Sequence, residues 1–279
     1  MVQMMEHIQK KENELEKDTL RVERDNGVCT LVLNRPQKKN SLTPQMVTLL
    51  LQTLEELSGD DSVRAVVIRG GGGKAFCAGY DIKSLPTGVS GDARKQLEKI
   101  SPVEAVFQHI CNYPYPVIAM INGDAFGAGC EMTICCDIRI AAENVRIGMP
   151  PAKLGLVYHW TGLQRFIQTI GLKSTKELFL SGRVFSGQRL KEIGLVDYLL
   201  PPAELEAFVY KMAREMAANA PLAVKGTKRV LNLLLQSASI EQSSIAEAEA
   251  LALEAFNSED LKEGQLAFLE KRKPEFKGK

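Results

Sequence analysis

Residues 149–160, MPPAKLGLVYHW, carry the side chains whose types first suggest chemistry. Tyr158, His159 and the chain's only tryptophan, Trp160, follow an apolar turn that holds no acid, serine or cysteine. A phenol can donate one hydrogen bond and so orient an anion without neutralising it. The alternative for Tyr158 is a core tyrosine whose hydroxyl reaches the surface. His159 and Trp160 are interpreted as packing residues.

Two glycine-bearing loops have the composition needed to place backbone N–H groups around a ligand. The first, GGGGKAFCAGYDIKSLP (70–86), follows the apolar run RAVVIRG. The second, INGDAFGAGCEM (121–132), leads from a predicted strand into a helix predicted to begin near Gly127. Glycine permits close backbone approach, and amides at a helix N-terminus attract negative charge. Side by side, the two turns would form an oxyanion hole from peptide N–H groups alone.

The composition argues against several classes of function. The chain has 279 residues and a net charge of +1, so we expect no nucleic-acid partner. No apolar run approaches the roughly 20 residues that span a bilayer, so we expect no membrane segment. Six cysteines without CxxC spacing and three histidines predict no metal site, and they favour reduced thiols and a cytoplasmic location. Neither GxxxxGK[ST] nor GxGxxG occurs, which excludes the common nucleotide-binding loops.

The elements that must position these loops follow a βα rhythm. Residues 20–142 alternate apolar runs such as VCTLVLN, RAVVIRG, PVIAMIN and DIRIAA with helical patterns, which predicts an α/β fold. Continuous apolar runs are typical of strands that are covered on both faces. Beyond residue 160 the patterns are almost wholly helical, and several end at glycine.

This organisation predicts three parts of the chain. Residues 1–18 form a polar N-terminal extension, 19–201 an α/β core and 202–279 a C-terminal helical lobe. The alanine- and leucine-rich segment SIEQSSIAEAEALALEAFNSED (239–260) is long for such a small lobe. We therefore expect it to contribute to an oligomer interface.

Several ordered motifs carry a family resemblance. AFCAGYDIK, NGDAFGAGCEM, NRPQKKNSL and SGRVFSGQRLKEIGLVD resemble the enoyl-CoA hydratase/isomerase (crotonase) superfamily over residues 20–279. Within it, MPPAKLGLVYH, FCAGYDIKSLPTG, EMTICCDIRIAA and the ending NSEDLKEGQLAFLEKRKPEFKGK resemble the biotin-independent methylmalonyl-CoA decarboxylases. The resemblance implies a spiral of β-β-α units with a C-terminal helical lobe, and a homotrimer or a dimer of trimers.

The resemblance also implies which residues bind an acyl-CoA substrate. The amides of Tyr80 and Ala128 would hold the thioester oxygen as it becomes an enolate. Glycine is common at the Ala128 position, and alanine is tolerable there if its φ stays negative. The implied substrate-binding residues are Ala78, Gly79, Tyr80, Asp81, Ile82, Ala128, Pro150 and Lys271. For Lys271 the alternative is a solvated charge near the C-terminus.

Hydratases of the superfamily use two glutamates, of which this chain has one. Glu131 matches the first glutamate, whereas the position of the second falls on Pro151, which has no ionisable group. This counts against hydration and isomerisation, both of which rely on the second carboxylate. Two interpretations of Glu131 stay open: it pairs structurally with neighbouring loops, or it manages the proton that reaches the enolate.

The expected activity is therefore decarboxylation of methylmalonyl-CoA, or a close malonyl-type thioester, to propionyl-CoA without any cofactor. Tyr158 aligns with a tyrosine that the decarboxylase branch places beside the substrate carboxylate. Tyr80 departs from that branch, which has a histidine there, but backbone donation survives the change. The alternatives are a hydratase-like lyase that uses Glu131 alone, and a catalytically silent CoA-ester-binding or RNA-binding relative.

Overall fold

The computed structural model describes residues 19–84, 103–236 and 242–277. The extension predicted for residues 1–18 lies outside the described residues, as do residues 85–88 of the motif FCAGYDIKSLPTG. The described strands are β1 (Leu20–Asp25), β2 (Val28–Leu33), β3 (Ala65–Gly70), β4 (Ala75–Cys77), β5 (Val117–Ile121), β6 (Asp124–Phe126), β7 (Ile138–Ala142), β8 (Arg146–Gly148), β9 (Val184–Ser186) and β10 (Tyr198–Leu200).

Helices join and cover these strands. The described α-helices are α1 (Pro44–Ser58), α2 (Val103–Asn112), α3 (Ala128–Cys135), α4 (Trp160–Ser181), α5 (Gln188–Glu192), α6 (Pro202–Ala218), α7 (Pro221–Gln236), α8 (Gln242–Asn257) and α9 (Glu259–Glu270). Short 3-10 helices cover Pro36–Lys38, Ile82–Ser84 and Pro151–Leu154.

Two sheets form the centre of the molecule. The larger has the order β1-β2-β3-β5-β7-β10 and is parallel except for the β1–β2 pair. The smaller has the order β4-β6-β8-β9, in which only β8 and β9 are antiparallel. Every residue of β2 and of β5 is buried, as the continuous apolar runs predict for strands covered on both faces.

The chain alternates between the two sheets. β3, β5 and β7 lie in the large sheet, and each is followed directly by a strand of the small sheet, namely β4, β6 or β8. Helix α3 follows the second of these pairs, and the 3-10 helix at Pro151–Leu154 follows the third. This arrangement agrees with the predicted spiral of β-β-α units. Its consequence is that the turns after β4 and β6 leave neighbouring parallel strands of the small sheet.

Helix α1 shows how local sequence determines an element. It begins at Pro44, a residue favoured at the first helical position, and the Thr43 side chain accepts a hydrogen bond from the Met46 N–H at 3.3 Å. Met46, Leu50 and Leu54 recur every four residues and are buried, so one face of the helix packs into the core.

The C-terminal helices pack on the core. Helix α6 lies against β2, β3, β5 and β7. Helix α9 contacts the 3-10 helix at Pro151–Leu154, where a Cβ built on Gly264 would lie 2.5 Å from the Leu154 carbonyl oxygen. Residues 239–241 of the segment 239–260 lie outside the described residues. The rest is divided between two helices, because α8 ends at Asn257 and Ser258 caps α9.

The proposed boundary between residues 201 and 202 stays a prediction. Among the described residues beyond 201, the regular secondary structure is entirely helical. Across the three described ranges, no helix combines the length and the apolar character that crossing a bilayer requires.

Candidate active site

The two glycine-bearing turns lie against each other. Gly79, after β4, has φ +101°, and Gly127, between β6 and α3, has φ +53°. A Cβ built on Gly79 would lie 2.9 Å from the Phe126 carbonyl oxygen and 3.4 Å from the Ala128 nitrogen. Only glycine combines this backbone conformation with such an approach, so Gly79 brings the first turn onto the start of α3.

The N–H groups of the two predicted oxyanion donors are not used in hydrogen bonds to any of the described residues. Tyr80 forms a parallel bridge with Leu42, in which the Leu42 N–H donates to the Gly79 carbonyl and the Asp81 N–H donates to the Leu42 carbonyl. The bridge uses groups of residues 79 and 81, so the Tyr80 N–H points to the other side of the strand. Ala128 is the first residue of α3, where amides have no intrahelical acceptor. Within the described ranges, neither N–H donates a hydrogen bond to the protein.

Ala128 lies at a position where, by the resemblance, the family commonly has glycine. Ala128 is buried, and its φ is not positive. The positive φ needed here falls on Gly127 instead. The condition stated for the alanine substitution is therefore met, and its peptide N–H stays available as a donor.

Glu131 lies one turn into α3 and is almost fully buried, with a relative exposure of 2%. Its Oε1 accepts a hydrogen bond from Nη1 of Arg165 at 2.7 Å, and its Oε2 accepts one from the Tyr158 hydroxyl. Burial raises the pKa of Glu131 to about 7, although the Arg165 charge and the Tyr158 hydrogen bond both oppose that increase. Glu131 is therefore able to change its protonation state near neutral pH.

Tyr158 is held at both ends of its side chain. Its hydroxyl donates to Glu131, and its ring packs on Phe179 with a centroid separation of 5.3 Å. Phe179 in turn meets the edge of Phe166 at 4.9 Å. Phe179 lies beyond the kink of α4 at Gly171, where φ is +74°. The direct contact between Tyr158 and Glu131 is a relationship that the sequence analysis did not predict.

Arg165 and Glu104 complete the charged cluster, and both were missed from the sequence. Nη1 of Arg165 donates to Oε2 of Glu104 at 3.0 Å, and Nη2 donates to Oε1 of the same carboxylate. In the sequence, Tyr158, Gly162 and Arg165 are spaced i, i+4 and i+7, as residues of one helix face are, although Tyr158 itself lies two residues before the start of α4. That spacing could have associated Arg165 with Tyr158, whereas the position of Glu104 on α2 depends on tertiary packing.

Gly162 provides the space in which this cluster forms. A Cβ built there would lie 2.6 Å from Cε1 of Tyr158 and 2.8 Å from Oε1 of Glu131. These distances are shorter than real Cβ contacts, so any larger residue must displace one of the two side chains. The glycine is therefore required by packing, since its own φ is not positive.

A match to a family model shows to which protein family this chain belongs. The model described as enoyl-CoA hydratase/isomerase matches residues 23–279. The chain belongs to the enoyl-CoA hydratase/isomerase family. It is an acyl-CoA-processing enzyme of the crotonase superfamily, and the α/β spiral predicted from the motifs is confirmed.

Individual family members with different activities are similar to this chain. The mitochondrial methylglutaconyl-CoA hydratase of Rattus norvegicus is 34% identical over 269 residues, which cover 94% of this chain and 84% of that protein. The methylmalonyl-CoA decarboxylase of Escherichia coli K12 is 31% identical over 254 residues, 91% of this chain and 95% of that protein. A crystal structure of methylmalonyl-CoA decarboxylase complexed with 2S-carboxypropyl CoA has a TM-score of 0.87 at 30% identity, covering 94% and 98% of the two chains.

Pro151 occupies the position at which hydratases of the family, by the resemblance, carry their second glutamate. It is buried at the start of the 3-10 helix, and its carbonyl accepts a hydrogen bond from the Leu156 N–H. A proline has no proton to exchange, so this position supplies structure only. Pro150, a predicted substrate contact, immediately precedes the 3-10 helix and is half-buried.

The other predicted substrate-binding residues lie in two places. Ala78, Asp81 and Ile82 continue the first turn on either side of Tyr80, and all three are half-buried. Lys271 lies beyond α9 in the left-handed conformation, with φ +57°, and its side chain is exposed. Both interpretations of Lys271, a CoA contact and a solvated charge, are compatible with that exposure.

The remaining polar residues of MPPAKLGLVYHW lie outside the cluster. His159 places Nδ1 2.8 Å from Oγ1 of Thr161, and burial lowers its pKa. Within the described ranges, no group of three or more His, Cys, Asp or Glu side chains is arranged to hold a metal ion. The six cysteines are free, and all except the half-buried Cys111 are buried, as expected for small core residues.

Proposed function

We propose that this enzyme decarboxylates methylmalonyl-CoA, or a close malonyl-type acyl-CoA, to propionyl-CoA. The main support for the proposal is the set of side chains in the site that can exchange a proton. Glu131 is present, but by the resemblance the position of the family's second glutamate falls on Pro151, which is buried at the start of a 3-10 helix. Carboxylate-pair hydration would therefore lack one of its two groups. Decarboxylation needs no general base, which makes it the reaction these residues support best.

In the proposed reaction the bond between the α-carbon and the carboxylate breaks. Its electron pair enters the thioester carbonyl and gives an enolate and CO₂. The amides of Tyr80 and Ala128 donate to the enolate oxygen, and each such donor contributes about 3 kcal/mol to the transition state. The enolate carbon then takes up one proton, which yields propionyl-CoA.

The proposal assigns Tyr158 to the substrate carboxylate. A hydrogen bond from its hydroxyl would hold that carboxylate perpendicular to the thioester plane, so that the breaking bond overlaps the carbonyl π system. Ala78, Gly79, Asp81, Ile82 and Pro150 would line the acyl-CoA, and Lys271 would contact its CoA part. We propose no metal, biotin or other cofactor, since the electron pair is accepted by the thioester itself.

Hydration is a second candidate activity. The 34% identity to a methylglutaconyl-CoA hydratase favours it, and Glu131 would then act without a second glutamate. A third candidate is a protein that binds CoA esters without converting them. The first two candidates give different products and the third gives none, so one experiment separates all three.

The experiment is to incubate the purified protein separately with methylmalonyl-CoA, crotonyl-CoA and 3-methylglutaconyl-CoA and to follow the products by mass spectrometry. Propionyl-CoA from the first, with the other two unchanged, supports decarboxylation. A gain of water by either unsaturated thioester, with methylmalonyl-CoA intact, would overturn it. Binding of all three without conversion would favour the non-catalytic alternative.

We also propose a homotrimer or a dimer of trimers in the cytoplasm. Helices α7 and α9 expose large apolar side chains, among them Leu222, Leu231 and Phe268, at 84%, 56% and 59%. Large apolar side chains that a single chain leaves exposed are candidates for burial in an interface. Sedimentation equilibrium tests the assembly, and a monomer at micromolar concentration would contradict it.

A further inference from the structure

We infer that Arg165, shared between Glu131 and Glu104, is a positioning residue that determines the direction of the hydrogen bond between Tyr158 and Glu131. The catalytic consequence of this inference rests on the proposed decarboxylation. The ionisation of Glu131 on which it depends is measurable without any turnover.

The first step is the charge balance of the cluster. Arg165 supplies one positive charge, and its side chain is only 15% exposed. It pairs with two carboxylates, Glu131 at 3% and Glu104 at 18% side-chain exposure. If both carboxylates are ionised, one negative charge remains without a cation in a largely buried site. An uncompensated buried charge is costly, so the cluster favours taking up a proton.

The second step is which groups face Glu131. Arg165 and Tyr158 approach from α4 and the residues before it, and Glu104 approaches from α2. The thiols of Cys130 and Cys135 belong to α3 itself, and burial raises the pKa of each, so both are neutral. Burial lowers the pKa of His159, and this effect is larger than the opposing effect of the Glu104 charge. Glu131 is therefore the group in the cluster that is placed to take up the proton.

The third step is a count of hydrogens. A phenol has a single hydrogen to donate. When Glu131 is ionised, Tyr158 donates that hydrogen to Oε2, and none is left for a substrate carboxylate. When Glu131 is protonated, its own O–H can donate to the phenol oxygen. The Tyr158 hydrogen is then released to bind the substrate carboxylate.

Arg165 and Glu104 shift the protonation equilibrium of Glu131 in opposite directions. The guanidinium stabilises ionised Glu131 through the 2.7 Å contact from Nη1. Glu104 adds a negative charge and binds the same guanidinium through two further hydrogen bonds, which weakens its hold on Glu131. Burial raises the pKa of Glu131 to about 7, so both protonation states are accessible near neutral pH.

The test compares Arg165→Met with Glu104→Gln. In each protein, kcat/KM for methylmalonyl-CoA is measured against pH, and Glu131 is titrated by infrared difference spectroscopy of its carboxylic-acid band, with Glu131→Gln as the spectral blank. We expect the alkaline limb and the infrared midpoint to move to higher pH in Arg165→Met and to lower pH in Glu104→Gln. Each shift should be at least about one unit, a tenfold change in proton affinity.

Arg272→Met is the matched control, because it removes an arginine that pairs with Glu263 and Glu270 on the surface. It should leave the infrared midpoint unchanged. Infrared shifts of the same sign in Arg165→Met and Glu104→Gln, or no shift in either, would overturn the inference. If no protein releases CO₂, the proposed function fails, and opposite infrared shifts still establish the control of Glu131 by Arg165.

Discussion

The Tyr158 hydroxyl donates its hydrogen bond to Oε2 of Glu131, a residue 27 positions earlier in the chain. The contact joins Tyr158, two residues before the start of α4, to the first turn of α3, whose N-terminal residue is the proposed oxyanion donor Ala128. A single buried hydrogen bond therefore links the group assigned to the substrate carboxylate with the helix assigned to the enolate oxygen.

Tyr158→Phe should lower kcat for decarboxylation by about 10- to 100-fold and change KM much less. The variant loses one hydrogen bond to a charged group, worth about 1.5–3 kcal/mol, while the ring keeps its contact with Phe179. Steady-state kinetics measure the change. Tyr198→Phe, at an exposed tyrosine that packs on Phe208, is the matched control. Equal activity of Tyr158→Phe and wild type would remove this hydroxyl from the reaction.

Glu131→Gln should retain decarboxylase activity and lose the decline of activity at alkaline pH. A glutamine amide can donate to the phenol oxygen while its carbonyl accepts from Arg165, so it mimics protonated Glu131 at every pH. The measurement is kcat/KM against pH for both proteins. If the variant is inactive across the whole range, Glu131 transfers a proton itself, as a hydratase would require.

The folding stability of the wild type should decrease as pH rises between 4.5 and about 7, relative to Glu131→Gln. The raised pKa of Glu131 means that the folded protein binds this proton more tightly than the unfolded chain. Its contribution is therefore complete below pH 4.5 and is lost as pH rises through about 7. The full effect is about 3 kcal/mol.

Denaturant unfolding of both proteins across this interval measures the difference. Glu263→Gln is the control, because hydrogen bonds from Arg272 hold the pKa of Glu263 near 2. The difference in unfolding free energy between Glu263→Gln and the wild type should stay constant over the same pH interval. A flat difference for Glu131→Gln as well would mean that Glu131 titrates normally.

Gly162→Ala should reduce both stability and kcat. Alanine usually stabilises a helix interior by about 1 kcal/mol over glycine. Here the added Cβ would lie 2.6 Å from Tyr158 and 2.8 Å from Glu131, so it must separate them. Displacement of about 1 Å at a reacting group can cost about 100-fold in rate.

The control is Gly226→Ala in α7, where an added Cβ would meet nothing within 4 Å. That variant should gain stability and keep its activity. Thermal unfolding and kinetics of the two variants measure the contrast, and an active, stabilised Gly162→Ala would contradict the packing argument.

Gly79→Ala should reduce kcat by about 100-fold or more, the cost of removing one oxyanion donor. The substitution requires a non-glycine residue at φ +101° and places Cβ 2.9 Å from the Phe126 carbonyl, so the first turn must move away from α3. Gly73→Ala separates the two effects, since its φ is +68° but its Cβ meets nothing within 4 Å. Gly73→Ala should lose stability alone, and equal kinetics in the two variants would refute a role for the close approach.

The sequence predicted the parts of this structure that depend on local chemistry. Apolar runs predict β2 and β5, and the turn at Gly127 predicts the start of α3. The ion pair of Arg165 with Glu104 joins residues 61 positions apart, and no local pattern specifies that contact. The pattern LQRFIQTIG predicts a helix stop at Gly171, and the backbone there is non-helical, with φ +74°, before helical structure resumes and reaches Ser181.

The two proposed oxyanion donors are peptide groups, so an amino-acid substitution does not remove them directly. Substitution at Tyr80 or Ala128 alters the side chains around the thioester and leaves the N–H groups in place, provided that the backbone keeps its conformation. Mutations at these positions can therefore change which acyl group is accepted while the capacity to stabilise an enolate is inherited intact. Such a site can diversify its substrates by single mutations without passing through an inactive ancestor.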